Sequence, residues 1–279
     1  MHAEVNGHRR LWFDVDGAAL VPAGGEMQER PTIVLLHGGP GGYDHSYFKP
    51  DFSALTEVAQ VVYLDVTGHG RSHLADASSW TFELAGDDVR AFCEAVGVES
   101  PIVYGHSLGA MIAAAYAVRH PDHPRALVLQ SGMGRYDLQR IVEGFRQFGG
   151  DEVAAIAERS YGGTPPPVTP EEWERCRVVF GPHVLNDDER RRMVSVDLGE
   201  PALEHLRSFD VLAGLSSVAC PTLVCVGELD PVTPVAAAEE LAAALGSARL
   251  EVIGGAGHWT WKDAPDIYWP LLTEFVSGA

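Results

Sequence analysis

Between Pro101 and Ala110 an apolar, β-type run, Ile102-Val103-Tyr104, enters the pattern Gly105-His106-Ser107-Leu108-Gly109, and a run of small residues leaves it. This order reads as strand, sharp turn, helix. A serine at such a turn sits in a strained backbone conformation, and the flanking glycines remove side chains that would clash as strand and helix close on each other. The Ser107 hydroxyl is therefore expected at the C-terminal edge of a sheet, beside the first N–H groups of a helix. Alone, the pattern also fits a glycine-rich turn whose serine only caps the helix, so its partners decide the reading.

Around this stretch, short continuous apolar runs mark strands buried on both faces of a parallel sheet: 32–36, 60–64, 126–129 and 222–226. A further strand is expected at 249–253. Helical patterns lie between them, including one capped by Thr81 that runs to Val96 with Phe82, Ala85, Val89, Phe92 and Val96 on one stripe and Gly97 at its end. Strand and helix alternate, which implies a doubly wound, mostly parallel sheet. Residues 1–22 read as a β-hairpin with an Asn6-Gly7 turn, 23–30 as a polar connection, and 48–58 as a short helix.

From 134 to 217 the rhythm changes. Helical patterns (137–148, 151–160, 170–180, 187–196 and 201–213) follow one another without a buried strand. The expected organisation is a core of residues 1–133 and 218–279, with 134–217 inserted as an α-helical cap. Phe145, Phe148, Trp173, Phe180 and Phe209 in the cap read as core residues, one or two of them as pocket lining.

The formal charge of −19 argues against nucleic acid and anionic membranes as partners, and no run of about 18 apolar residues offers a membrane span. Cys93, Cys176, Cys220 and Cys225 have no metal-ligand spacing and read as free thiols in a reducing compartment, so the protein is expected in the cytoplasm. His37, His45, His69 and His106 read as hydrogen-bonded loop supports, and neither metal nor cofactor is expected. The expected partner is a small-molecule substrate. Monomer and homodimer both remain open.

A serine hydroxyl becomes a nucleophile when a base takes its proton and an acid holds that base in the right tautomer. Two strand ends after 217 offer those groups: Asp230 in Gly227-Glu-Leu-Asp-Pro, with Glu228 as a competing acid, and His258 in Gly254-Gly-Ala-Gly-His. C-terminal strand ends lie side by side in a parallel sheet, so Ser107, Asp230 and His258 are expected to converge. An oxyanion needs preorganised N–H donors. Leu108, directly after the serine, and Gly39, in the glycine-rich loop 37–42, are the candidates.

The loop His37-Gly-Gly-Pro-Gly41, the turn Asp65-Val-Thr-Gly-His-Gly-Arg-Ser72, the serine turn, Asp230 and His258 together resemble the α/β-hydrolase superfamily. More narrowly they resemble its branch containing prolyl iminopeptidases and related amidases and esterases. The resemblance covers about 30–133 and 218–279. It implies a Ser107-His258-Asp230 triad with Gly39 and Leu108 as oxyanion donors. Two positions depart from the iminopeptidases: Gly-His-Ser-Leu-Gly stands in place of Gly-Gly-Ser-Trp-Gly, and Thr67 stands where an Arg is usual. The expected activity is therefore hydrolysis of a small ester, lactone or amide. A prolyl aminopeptidase is the alternative, with Glu143, Glu158, Glu200 and Glu204 of the cap available for a substrate ammonium. A carbon–carbon bond hydrolase and a non-catalytic ligand-binding protein use the same fold.

Overall fold

The computed structural model describes residues 1–6, 9–72, 74 and 76–279. At the N-terminus β1 (His2–Val5) and β2 (Arg9–Asp16) pair antiparallel with Val5 opposite Arg9. The turn expected at Asn6-Gly7 includes Gly7, which lies outside the described residues. The polar connection expected at 23–30 is instead half of a second hairpin, β3 (Leu20–Ala23) with β4 (Glu26–Glu29), forming a two-stranded sheet of its own. Its side chains are largely exposed, Leu20 and Met27 among them, so no buried pattern announced it.

The remaining strands, β5 (Thr32–Leu36), β6 (Gln60–Leu64), β7 (Ile102–His106), β8 (Ala126–Gln130), β9 (Thr222–Gly227) and β10 (Arg249–Ile253), run parallel. With β1 and β2 they build an eight-stranded sheet in the order β1-β2-β6-β5-β7-β8-β9-β10. Val, Ile and Leu fill β5 and β8 because both faces are covered, and every residue of β7 and β8 is buried. The covering helices are α1 (Phe82–Val96), α2 (Leu108–Arg119), α7 (Val235–Leu245) and α9 (Pro265–Gly278), with the short α8 (Thr260–Asp263) before α9. Thr81 caps α1 by accepting from the Leu84 N–H, and Gly97 ends it at φ 74°.

Residues 45–57 form two 3-10 turns, with Pro50 between them, rather than one helix. Between β8 and β9 come α3 (Leu138–Gly162), α4 (Pro170–Arg177), α5 (Asp187–Arg192) and α6 (Gly199–Arg207). The two helices expected at 137–148 and 151–160 are one element broken at Gly150, whose φ of 79° only glycine tolerates at little cost. No helix among the described residues is long and apolar enough to cross a membrane. All four cysteines are free thiols, Cys220 half-buried and the others buried.

The strand order reverses at β5, which has β6 on one side and β7 on the other. Loops leaving adjacent strands diverge at such a point and open a crevice beyond their C-terminal ends. The loop after β5 and the serine turn after β7 both border it.

Candidate active site

Ser107 links β7 to α2 at φ 56° and ψ −118°, a region that non-glycine residues rarely occupy. Its glycine neighbours are required by contact. A Cβ on Gly105 would lie 2.2 Å from the Gly109 carbonyl oxygen, and one on Gly109 would lie 2.1 Å from that of Leu36. Strand, turn and helix therefore touch backbone to backbone, and the half-buried Ser107 faces a cavity of about 770 Å³.

His258 lines that cavity and meets Asp230, 28 residues away: His258 Nδ1 lies 2.7 Å from Asp230 Oδ2. Oδ1 accepts from the N–H groups of Val232 and Thr233 at 2.9 and 3.0 Å, and Oδ2 also accepts from Thr233 Oγ1 at 2.7 Å. Burial pushes this carboxyl up, but the His258 charge, its hydrogen bond and the bonds from Thr233 together outweigh burial and hold it below its ordinary value. Glu228 is exposed and accepts instead from the Gly255 N–H, at 2.9 Å. Of the two candidate acids, only Asp230 reaches His258.

The glycine loop passes close to the serine turn. A Cβ on Gly38 would sit 3.3 Å from Ser107 Cβ, and one on Gly39 would sit 2.7 Å from Leu108 Cδ2. The Gly38 N–H is already used, donating to the Tyr47 hydroxyl at 2.6 Å. The N–H groups of Gly39 and Leu108 have no acceptor among the described residues. Tyr47 also meets His106 Nδ1 at 2.8 Å, and His106 Nε2 lies 2.9 Å from the His258 carbonyl. Sequence reasoning read His106 as a loop support and did not single out Tyr47.

The other three histidines expected as loop supports, His37, His45 and His69, are buried and bonded within loops. His37 Nε2 accepts from the Val66 N–H at 3.2 Å, and His69 Nδ1 donates to the Thr67 carbonyl at 3.1 Å. His45 Nδ1 lies 2.6 Å from Asp65 Oδ1. Asp44, His45 and Asp65 bring their ligand-type atoms within 4.8 Å of one another. Both carboxylates are engaged: Asp65 by the N–H groups of His45 and Arg71, Asp44 by Ser46, Arg71 and the Val194 N–H. Thr67 donates to the buried Asp88 at 2.7 Å, a carboxylate that Arg9 also grips with two hydrogen bonds.

Residues between β8 and β9 supply much of the cavity lining. Met133, Tyr136, Tyr161, Trp173, Phe180 and Leu206 line the cavity together with Tyr43, Met111 and Trp259. The segment is fastened on both sides of Ser107. The Phe180 carbonyl accepts from the His258 N–H at 2.7 Å, and the Val196 N–H donates to the Gly41 carbonyl at 2.9 Å. Lys262 bridges Asp51 and Glu189 at 2.9 and 2.8 Å. Glu174 is the only acidic side chain lining the cavity among the described residues, and Arg177 holds both its oxygens, at 2.9 and 2.5 Å. Glu143, Glu158, Glu200 and Glu204 are exposed and do not line the cavity.

A family model described as alpha/beta hydrolase fold matches residues 31–164, and one described as TAP-like protein matches 208–266. The chain belongs to the α/β-hydrolase superfamily, and with that comes its coarse class, a hydrolase of this fold. A Caulobacter sp. (strain K31) protein named "Putative carbamate hydrolase RutD" is 28% identical over 95% of this chain and 97% of its own length. The proline iminopeptidase of Thermoplasma volcanium is 25% identical over 89% of each chain. Among solved structures, the proline iminopeptidase of Mycobacterium smegmatis shares the fold at a TM-score of 0.78 and 24% identity, over 100% of this chain and 98% of that one. The enol-lactonase of Burkholderia xenovorans LB400 does so at 0.71 and 24%, over 99% and 100%.

Proposed function

We propose that the chain is a serine hydrolase of small-molecule esters, lactones or amides. Ser107 attacks the carbonyl carbon while His258 Nε2 takes the hydroxyl proton. The N–H groups of Gly39 and Leu108 hold the resulting oxyanion. Collapse expels the leaving group, which receives the proton from His258, and Ser107 is left acylated. Water, deprotonated by the same imidazole, then releases the acid and restores Ser107. Asp230 keeps the hydrogen on Nδ1, so Nε2 is free to accept. The observation that carries this reading is the 2.7 Å bond to a buried Asp230 from His258, which lines the cavity that Ser107 faces. Every proton transfer falls to a side chain of the chain itself, so the scheme needs no cofactor. Residues 134–217 act as the cap, and the free thiols fit a cytoplasmic enzyme.

Within this class an uncharged substrate with an apolar body is favoured over a peptide with a free N-terminus. Aromatic rings and methionines line the cavity, and its single carboxylate is spent on Arg177. An unpaired ammonium in such a site costs on the order of several kcal/mol, so neutral aryl esters should be turned over about a hundredfold faster than free-amine arylamides, or more. A panel of p-nitrophenyl esters against proline and alanine p-nitroanilides measures this, and activity confined to the anilides would reverse the ranking.

The mechanism itself is tested by intact-mass analysis after exposure to a fluorophosphonate. One adduct is expected on wild type, and none on Ser107→Ala or His258→Ala. A folded wild type that forms no adduct, yet binds apolar ligands, would turn the reading toward a binding protein.

A further inference from the structure

We propose that Tyr47 and His106 are positioning residues: a buried hydrogen-bond relay from the Gly38 N–H, through Tyr47 and His106, to the His258 carbonyl fixes the oxyanion loop and the base relative to Ser107. The inference rests on the hydrolase reading for its catalytic meaning. The relay itself is a matter of geometry. Its three links measure 2.6, 2.8 and 2.9 Å. All four residues are buried, and His106 is 2% exposed.

The direction of each bond follows from donor and acceptor chemistry. A carbonyl oxygen only accepts, so His106 Nε2 carries the hydrogen donated to His258. In the neutral ring Nδ1 is then an acceptor, so the Tyr47 O–H donates to it. The Tyr47 oxygen keeps a lone pair for the Gly38 N–H. Burial, with His258 alongside, keeps the ring neutral, well below its ordinary range. One tautomer satisfies the whole chain.

The relay joins three loops that the fold brings together from different strands. At one end it takes up the Gly38 N–H and so anchors the His37–Gly38 peptide, one residue before Gly39, whose own N–H stays unspent. At the other it holds the backbone of the residue that carries the base. The Ser131 hydroxyl donates to the same His258 carbonyl at 3.2 Å, after receiving a bond from Gln130 at 2.9 Å. His106 itself immediately precedes the nucleophile, so both ends are tied to the serine turn. Misplacing one donor by a fraction of an ångström costs far more in the transition state than in substrate binding.

Tyr47→Phe removes one oxygen and keeps the ring. For an aryl ester, kcat should fall roughly 10- to 100-fold with KM nearly unchanged, since the lost alignment matters where charge develops. Affinity for a trifluoromethyl ketone, which forms a tetrahedral adduct, should fall in step with kcat/KM. His106→Gln, which can still donate to the His258 carbonyl, should retain more activity than His106→Leu. Phe52→Leu, in the same aromatic cluster but outside the relay, should lower stability and leave kcat in place. Nitrogen NMR of the His106 ring supplies a readout independent of turnover: a ring that stays neutral and protonated on Nε2 at neutral pH, with nitrogen shifts altered in Tyr47→Phe. An Nδ1–H tautomer, or a ring indifferent to Tyr47→Phe, overturns the relay even if the enzyme is active. A correct tautomer in a protein that no fluorophosphonate labels overturns the hydrolase reading and, with it, the catalytic role given to the relay. A parallel loss of kcat in Phe52→Leu would reduce Tyr47 to packing.

Discussion

Ser107→Ala is expected to lower kcat for an aryl ester by roughly a millionfold, with a residual rate still about 10³–10⁴ above water. The size of the loss follows from the proposed mechanism, whose parts act as a unit: without the hydroxyl, His258 would have no proton to take and no acyl-enzyme would form. The residue also sits at φ 56°, so stability has to be considered separately. Alanine pays the same backbone strain as serine and leaves the Gly105 and Gly109 contacts unaltered. The change in unfolding free energy should therefore stay within about 1 kcal/mol. Urea titration followed by fluorescence, with kinetics on the same preparation, separates the two effects. Turnover within tenfold of wild type would remove Ser107 from the mechanism.

What could be read before any coordinates depended on how strongly each residue's surroundings restrict it. β5, β6 and β10 begin and end where their apolar runs do, because a strand covered on both faces or paired along its length leaves its sequence little freedom. Thr81 and Gly97 bound α1 because caps are local chemistry. The hairpin of β3 and β4 stayed hidden because its side chains answer to solvent rather than to a core. The break in α3 was legible as punctuation at Gly149-Gly150, but not that the chain continues as a single element beyond it.

The site divides in the same way. Ser107, Asp230 and His258 stood out as candidates because their order and their positions at strand ends follow from topology. Asp230 was preferred to Glu228 in sequence, and geometry separates them: both follow β9, yet Asp230 is buried against His258 while Glu228 is exposed and bonded to the Gly255 N–H. Tyr47 carried no signal, because a tyrosine in a short 3-10 turn looks like any core aromatic. The lining of the cavity by Phe180 and Trp173 depends on how α3 to α6 pack, which helical periodicity does not encode. The carboxylates needed for a free amine could be named in sequence, yet their exposure places them on the solvent side.

Asp230→Asn is the most discriminating change after the nucleophile, expected to lower kcat about 10³- to 10⁴-fold with little effect on KM. The carboxylate receives four hydrogen bonds, two at each oxygen. An amide has one acceptor oxygen and one NH₂, so one pair of donors must face another donor. If the NH₂ faces His258, the ring shifts its hydrogen to Nε2 and can no longer take the Ser107 proton. If it turns the other way, the N–H groups of Val232 and Thr233 lose their acceptor inside a buried turn, and the loop carrying the acid loosens. Stability against pH distinguishes this pair of consequences from a general loosening. The Asp230 carboxyl is held below its ordinary value in the folded chain. Its contribution is therefore fully present above the unfolded value near 3.8, and is lost as pH falls through the folded one. Wild type should be more stable than Asp230→Asn at pH 7, and the gap should narrow as pH is lowered from about 4 toward 3. Thermal melts at those pH values measure the narrowing. A gap that stays constant would mean that the carboxylate charge contributes nothing to holding His258, and full activity in the Asn variant would remove Asp230 from the triad.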